Sequence, residues 1–117
     1  MSSSPPSRGD VWDIELDPIV GHEQGGRRPA VVLSHNSINR GPSEVIVVVP
    51  MTTKHRLELD AIRVAVSPPE GGVAEKCYVI PDQLRAVSTR RLTSRRGRLT
   101  QETLAEIEDR VRIVLDL

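Results

Sequence analysis

Residues 21–35 read Gly21-His22-Glu23-Gln24-Gly25-Gly26-Arg27-Arg28-Pro29-Ala30-Val31-Val32-Leu33-Ser34-His35. The first half is polar and glycine-rich, which predicts a loop, because glycine reaches backbone conformations that other residues avoid. The second half, from Ala30 to Leu33, is a short apolar run rich in branched side chains and bounded by breakers. It predicts a buried strand. Pro29 restricts Arg28 to extended backbone. A guanidinium is therefore held where a loop enters a strand, aimed at something planar and anionic such as a phosphate.

The bounds of the chain agree with a small β-rich domain. Its 117 residues make one domain with a modest core. One Trp, one Tyr and no Phe leave the core to Val, Leu, Ile and Ala. They also argue against the aromatic stacking platform of many single-strand binders. Sixteen basic and sixteen acidic residues cancel, so any attraction for nucleic acid must come from uneven distribution. Cys77 is the only cysteine, which excludes an internal disulfide and fits a reducing cytoplasm. No apolar run approaches the roughly 18 residues of a membrane span. Residues 1–8 lack the apolar centre of a signal peptide. Residues 1–7, Ser and Pro after the initiator, are expected to form a disordered tail, with the domain over 8–117.

Outward from the opening stretch, residues 11–17 alternate. Trp12, Ile14 and Leu16 lie on one face and Asp13, Glu15 and Asp17 on the other, a half-buried strand ended by Pro18. The acids read as a solvated face or as an edge that repels RNA. Residues 36–43 are turn formers. The run 45–49 is continuously apolar, which predicts a central strand buried on both faces, with a bend or bulge at Pro50. If this strand is an antiparallel neighbour of the one begun by Arg28, then Arg28 and Thr52 lie side by side. A further strand is expected over 57–66, irregular in its first half. Another covers 75–80, then a short connection over 82–85 and a last short strand over 86–88. Residues 89–98 hold Arg90, Arg91, Arg95, Arg96 and Arg98. This cluster stays open between a solvated face, an RNA-backbone contact and a dock for an acidic peptide. Thr100 is a good N-cap, and Leu104, Ile107, Val111 and Val114 recur at helical spacing, predicting an amphipathic C-terminal helix.

Several chemistries are excluded by spacing. His22, His35 and His55 are scattered and no HxxH or CxxC occurs, so no metal site and no cofactor is expected. Gly25-Gly26 is not followed by the lysine of a P-loop, and no G-x-S-x-G elbow occurs. Cys77 sits in an apolar strand and reads as core rather than nucleophile.

The stretch 21–34 resembles the signature of the MazF/PemK toxins, endoribonucleases of bacterial toxin–antitoxin pairs. Arg8-Gly9-Asp10-Val11-Trp12 with Asp17-Pro18 is similar to that family's opening strand. Val48-Val49-Pro50-Met51-Thr52-Thr53 resembles its third strand, and Asp82-Gln83-Leu84-Arg85 the start of its short second helix. The order and spacing of four motifs make the resemblance specific and extend it over residues 8–117. It implies an α+β, mainly β fold: a small, strongly bent SH3-like barrel of the CcdB/PemK kind with a C-terminal helix, forming a homodimer. It implies metal-independent cleavage of single-stranded RNA at short sequences, leaving 2′,3′-cyclic phosphate and 5′-OH ends. It further implies control by an acidic, MazE-like antitoxin. By residue-wise carry-over, Arg28 and Thr52 are the catalytic pair, and Glu23, Gln24, Arg27, Thr53 and Gln83 are substrate contacts.

Metal-free cleavage uses the nucleophile that RNA carries, its 2′-OH. The enzyme must take that proton, stabilise the phosphorane and protonate the leaving 5′-oxygen. Arg28 suits the second task and can donate in the third. Thr52 can bind the phosphate or orient the 2′-OH. Glu23 and His22 are the candidates for the base, although an exposed loop histidine without a role is the simpler reading of His22. Two other classes compete. A CcdB-like toxin binds DNA gyrase and cleaves nothing, and an inert SH3-like module binds only. Neither needs the Arg28–Thr52 pair.

Overall fold

The structure is a computed structural model and describes residues 5–16, 21 and 26–117. Seven strands and two helices follow in chain order: β1 (Asp10–Glu15), β2 (Arg27–Val32), α1 (Asn36–Asn39), β3 (Val45–Thr52), β4 (Val64–Val66), β5 (Cys77–Val79), β6 (Arg85–Ser88), β7 (Leu92–Arg98) and α2 (Gln101–Leu115). The strands form one curled sheet in the order β4-β5-β3-β2-β1-β7, with β6 also paired to β3. Every pairing is antiparallel.

β3 is central, as its apolar run predicts. Along one edge it pairs with β2, Ala30 opposite Pro50, Val31 opposite Val49 and Val32 opposite Val48. Along the other edge it changes partner. Residues 45–48 pair with β6, whereas Met51 and Thr52 pair with Val79 and Tyr78 of β5. Pro50 sits at the change, where its carbonyl accepts from the Ile80 amide at 2.9 Å. The strand therefore runs on through Pro50 to Thr52. The missing proline N–H falls where one partner has ended and the next has not begun, so little ladder is lost.

Alternate residues of β1, β2 and β3 enter two apolar layers. On one face Val11, Val31, Val49 and Met51 join Val64, Val66, Val79 and the α2 residues Ile107 and Val111. On the other, Ile14, Ala30, Val32, Ile46 and Val48 meet Leu16 and Val87, with Trp12 and Leu92 packed against them. Thr100 caps α2 by accepting from the Thr103 amide at 3.2 Å, as its position predicts. Ile107 is fully buried, worth about 2–3 kcal/mol for a side chain of its size. The stripe ends early: Val114 is exposed together with Ile113, Leu115 and Leu117, because α2 runs past the sheet that covers its first turns.

Four expectations are corrected. Residues 36–39 form a one-turn helix with His35 as its N-cap, where a turn is expected. Only 64–66 of the expected 57–66 strand is a strand. Residues 57–59 form a 3₁₀ turn, because Leu57 and Ile62 find no core to enter and are exposed. The short connection expected after β5 is present as another 3₁₀ turn, Pro81–Gln83. The strand at 86–88 is not the last: the arginine-rich segment is itself β7, paired with β1. The packed chain also begins ahead of Arg8, since Pro6 is buried and the Ser7 amide donates to Asp10 at 2.9 Å.

β7 gives most of the arginine cluster partners within the chain. Arg95 and Arg98 both reach Asp10, at 3.3 and 3.1 Å, and Arg96 reaches Asp13 at 2.7 Å. Arg91 donates to the Glu15 carbonyl at 2.9 Å. Of the acidic face of β1, Asp13 is thus paired rather than solvated, and Asp17 lies outside the described residues. The turn at 70–72 packs closely on β7. Gly72 has φ +68°, and a Cβ there would lie 2.1 Å from the Arg96 carbonyl oxygen.

Candidate active site

The rim where β2 begins and β3 ends carries the predicted pair. Arg28 is partly buried and lies opposite Ile14 in β1. The β2–β3 pairing ends with Ala30 opposite Pro50, and Arg28 and Thr52 each lie two residues beyond that last pair. Alternation along each strand keeps Arg28 on the face of Ala30 and Thr52 on the face of Pro50, two residues that pair opposite one another. Thr52 is 5% exposed, and its Oγ1 accepts from the Lys54 amide at 3.2 Å. That bond uses a lone pair and leaves the hydroxyl proton to donate elsewhere.

Beside Thr52 opens a groove of about 380 Å³, lined by Thr52, Lys54, Arg56, Leu59, Arg63, Asp82 and Gln83. Two short turns build its walls. One, 57–59, follows β3. Its loop is braced by His55 Nε2 on the Asp60 carboxylate at 2.8 and 3.0 Å and by Arg56 on Glu58 at 2.9 Å. The His55 ring also stacks on Tyr78, centroids 4.9 Å apart. The other turn, 81–83, presents Asp82 and Gln83. The Glu58 carboxyl is held below the usual range by a backbone hydrogen bond and then by the Arg56 guanidinium, with Arg63 adding a smaller effect.

The predicted residues divide as follows. Thr52 and Gln83 line the groove, and Arg28 stands at the adjoining strand end. Arg27 lies opposite Glu15, and strand alternation turns its side chain to the face away from Arg28. Thr53 is exposed and does not line the groove. Glu23 and Gln24, with His22, lie outside the described residues. Sequence reasoning missed the groove's cations, Lys54, Arg56 and Arg63. The signal was present for Arg63, which alternates with buried Val64 and Val66. Among the described residues no group of three or more His, Cys, Asp and Glu could hold a metal. Cys77 is buried, and burial pushes its thiol pKa up, which suits a core residue and not a nucleophile.

Residues 7–115 match the family model of the PemK-like, MazF-like toxin of type II toxin–antitoxin systems. The chain belongs to this family. It is 32% identical over 114 residues to endoribonuclease MazF9 of Mycobacterium tuberculosis, covering 94% of this chain and 96% of that one. It is 29% identical over 110 residues to endoribonuclease EndoA of Bacillus subtilis, covering 94% of each. Among solved structures it is similar to MazF of Deinococcus radiodurans, with a TM-score of 0.85 at 28% identity over 98% of this chain and 100% of that one. A MazE–MazF structure from the same organism matches with a TM-score of 0.77 at 28% identity over 98% and 99%. The expected MazF/PemK fold, a bent and mainly β sheet with a C-terminal helix, is the one observed.

Proposed function

We propose that this MazF-like toxin is a sequence-specific, metal-independent endoribonuclease of single-stranded RNA, with Arg28 and Thr52 as its catalytic pair. The observation that supports the reading is the β2–β3 register, whose last pair, Ala30 opposite Pro50, lies two residues short of both Arg28 and Thr52, with Thr52 in a groove that also holds Lys54, Arg56 and Arg63. The RNA 2′-oxygen attacks the adjacent phosphorus while its proton leaves to a base, for which Glu23 remains the candidate. Arg28 donates to the non-bridging oxygens as charge builds on the phosphorane. Thr52 donates its hydroxyl proton to the phosphate or orients the 2′-OH. The bond to the 5′-oxygen then breaks, and that oxygen takes a proton, from Arg28 or from water. The products are a 2′,3′-cyclic phosphate and a 5′-OH end.

Gln83 lines the groove beside Thr52, where it can contact a base edge. The protein is proposed to act in the cytoplasm as a homodimer restrained by an acidic, MazE-like antitoxin. No helix among the described residues is long and apolar enough to cross a membrane. The test is to incubate the protein with a long single-stranded RNA in EDTA and to map the 5′ ends, with Arg28→Ala alongside. Cuts at one short sequence, bearing 5′-OH ends and absent from the variant, are expected. No cutting by a folded wild type would sink the reading and favour gyrase binding. Cutting by both proteins would mean that Arg28 is wrongly assigned.

A further inference from the structure

Arg63 is the groove residue without an internal explanation. Its amide is tied to the Leu59 carbonyl at 3.0 Å, so its backbone is fixed where the 57–59 turn enters β4. Val64 and Val66 of β4 point into the core, and Ala65 is exposed on the other side. Alternation puts Arg63 on the Ala65 side. Ala65 pairs with Tyr78, and Tyr78 pairs with Thr52. Thr52, Tyr78, Ala65 and Arg63 therefore share one face of the sheet, the face to which Arg28 also belongs.

One donor of the guanidinium on that face is unmet. Its Nε is buried without a hydrogen-bond partner, and no carboxylate lies within 4.0 Å of it among the described residues. Asp82 lines the same groove and makes no ion pair with it. Glu58 is engaged by Arg56. Lys54 lines the groove as well and makes no ion pair among the described residues. A partly buried arginine is ordinarily paired, and leaving its donors unmet costs stability. In β7 the same residue type is paired with acids of β1. The exception falls where a polyanion would lie if Thr52 touched its scissile phosphate.

We propose that Arg63, with Lys54, forms a second phosphate site, binding the RNA backbone at a phosphate next to the scissile one. The inference rests on the endoribonuclease reading above and deepens it. Arg63 is assigned to substrate binding and alignment, not to the chemical step. Its planar fork suits two oxygens of one phosphodiester, and the ordered backbone at 59–63 holds that fork in register with Thr52.

The test uses a short RNA spanning the mapped cut, made uncleavable by a 2′-deoxyribose at the nucleotide that supplies the nucleophile. Affinity is measured against salt for wild type and Arg63→Met, with cleavage of the all-ribose RNA measured in parallel. The variant is expected to bind about tenfold more weakly, with a log–log salt slope smaller by about 0.7, the value for one phosphate contact on a single strand. KM should rise while kcat stays within a few-fold. Replacing backbone phosphates one at a time by neutral methylphosphonate should reveal one position that weakens wild type but not the variant. Because the Nε is unpartnered, Arg63→Met should melt no lower than wild type, which separates this role from a structural one. Unchanged affinity and salt slope would overturn the assignment and leave this guanidinium to an acidic protein segment. So would a methylphosphonate effect equal in both proteins at every position. A wild type that neither binds nor cuts RNA would overturn the endoribonuclease reading and this inference together.

Discussion

Two sets of arginines sit on one small sheet and meet opposite fates. Those of β7 face β1, and Arg95, Arg96 and Arg98 are consumed by Asp10 and Asp13. Arg63 stands at the far edge of the same sheet, at the start of β4, and makes no ion pair among the described residues. The β7 set is the denser cluster and the obvious choice for an RNA-binding surface. Three of its arginines are instead engaged by two carboxylates of a strand some 80 residues away in sequence, as the Arg96–Asp13 bond illustrates. The lesson is that a run of cations says little until its partners are known. Free positive charge is what a polyanion can use.

The comparison can be broken most sharply at the catalytic rim. Arg28→Ala is expected to lower kcat by about 10² to 10³-fold, the usual loss when one donor to a developing oxyanion is removed. Its fold should be intact by circular dichroism. If activity persists, the groove is not the site of chemistry. On the β7 side the effect should move from activity to stability. Asp10 is almost fully buried and accepts from the Ser7 amide and the Trp12 indole besides its two arginines. Asp10→Ala should cost about 2–3 kcal/mol in urea unfolding, from lost charge-assisted bonds, with RNA affinity per folded molecule unchanged. A loss of affinity without loss of stability would return β7 to the RNA-binding surface.

Two smaller effects sharpen the same contrast. Gly72→Ala should destabilise by about 1–3 kcal/mol, since its positive φ is strained for alanine and its Cβ would collide with the Arg96 carbonyl. Some of that loss should come from loosening β7, readable as faster amide exchange along that strand. Arg90 is exposed and makes no ion pair among the described residues, so Arg90→Ala should change stability by less than about 0.5 kcal/mol. If it instead reduced the salt dependence of RNA binding, the end of β6 would belong to the RNA path.

Much of this was legible in one dimension. The apolar run 45–49 announced a central strand, and Pro29 with the Arg28 position announced a strand entry. Together they were enough to expect the start of β2 and the end of β3 on one rim, and the two strands are indeed antiparallel neighbours. The C-terminal helix followed from period and cap. What was misread shares one cause. Residues 57–63 have strand-like composition, yet Leu57 and Ile62 meet no core. The 89–98 segment has the charge of a surface, yet pairs as a strand.

The sequence by itself therefore determined the elements whose signals are local: branched apolar runs, prolines at strand ends, a threonine cap, and the motifs that carry the family. Only the tertiary structure decided which charges are spent. It set β7 against the acids of β1 and left Arg63 facing the groove. The physical reason is that a charge acquires its meaning from what stands within a few ångströms, and strand pairing across the whole chain chooses that neighbour.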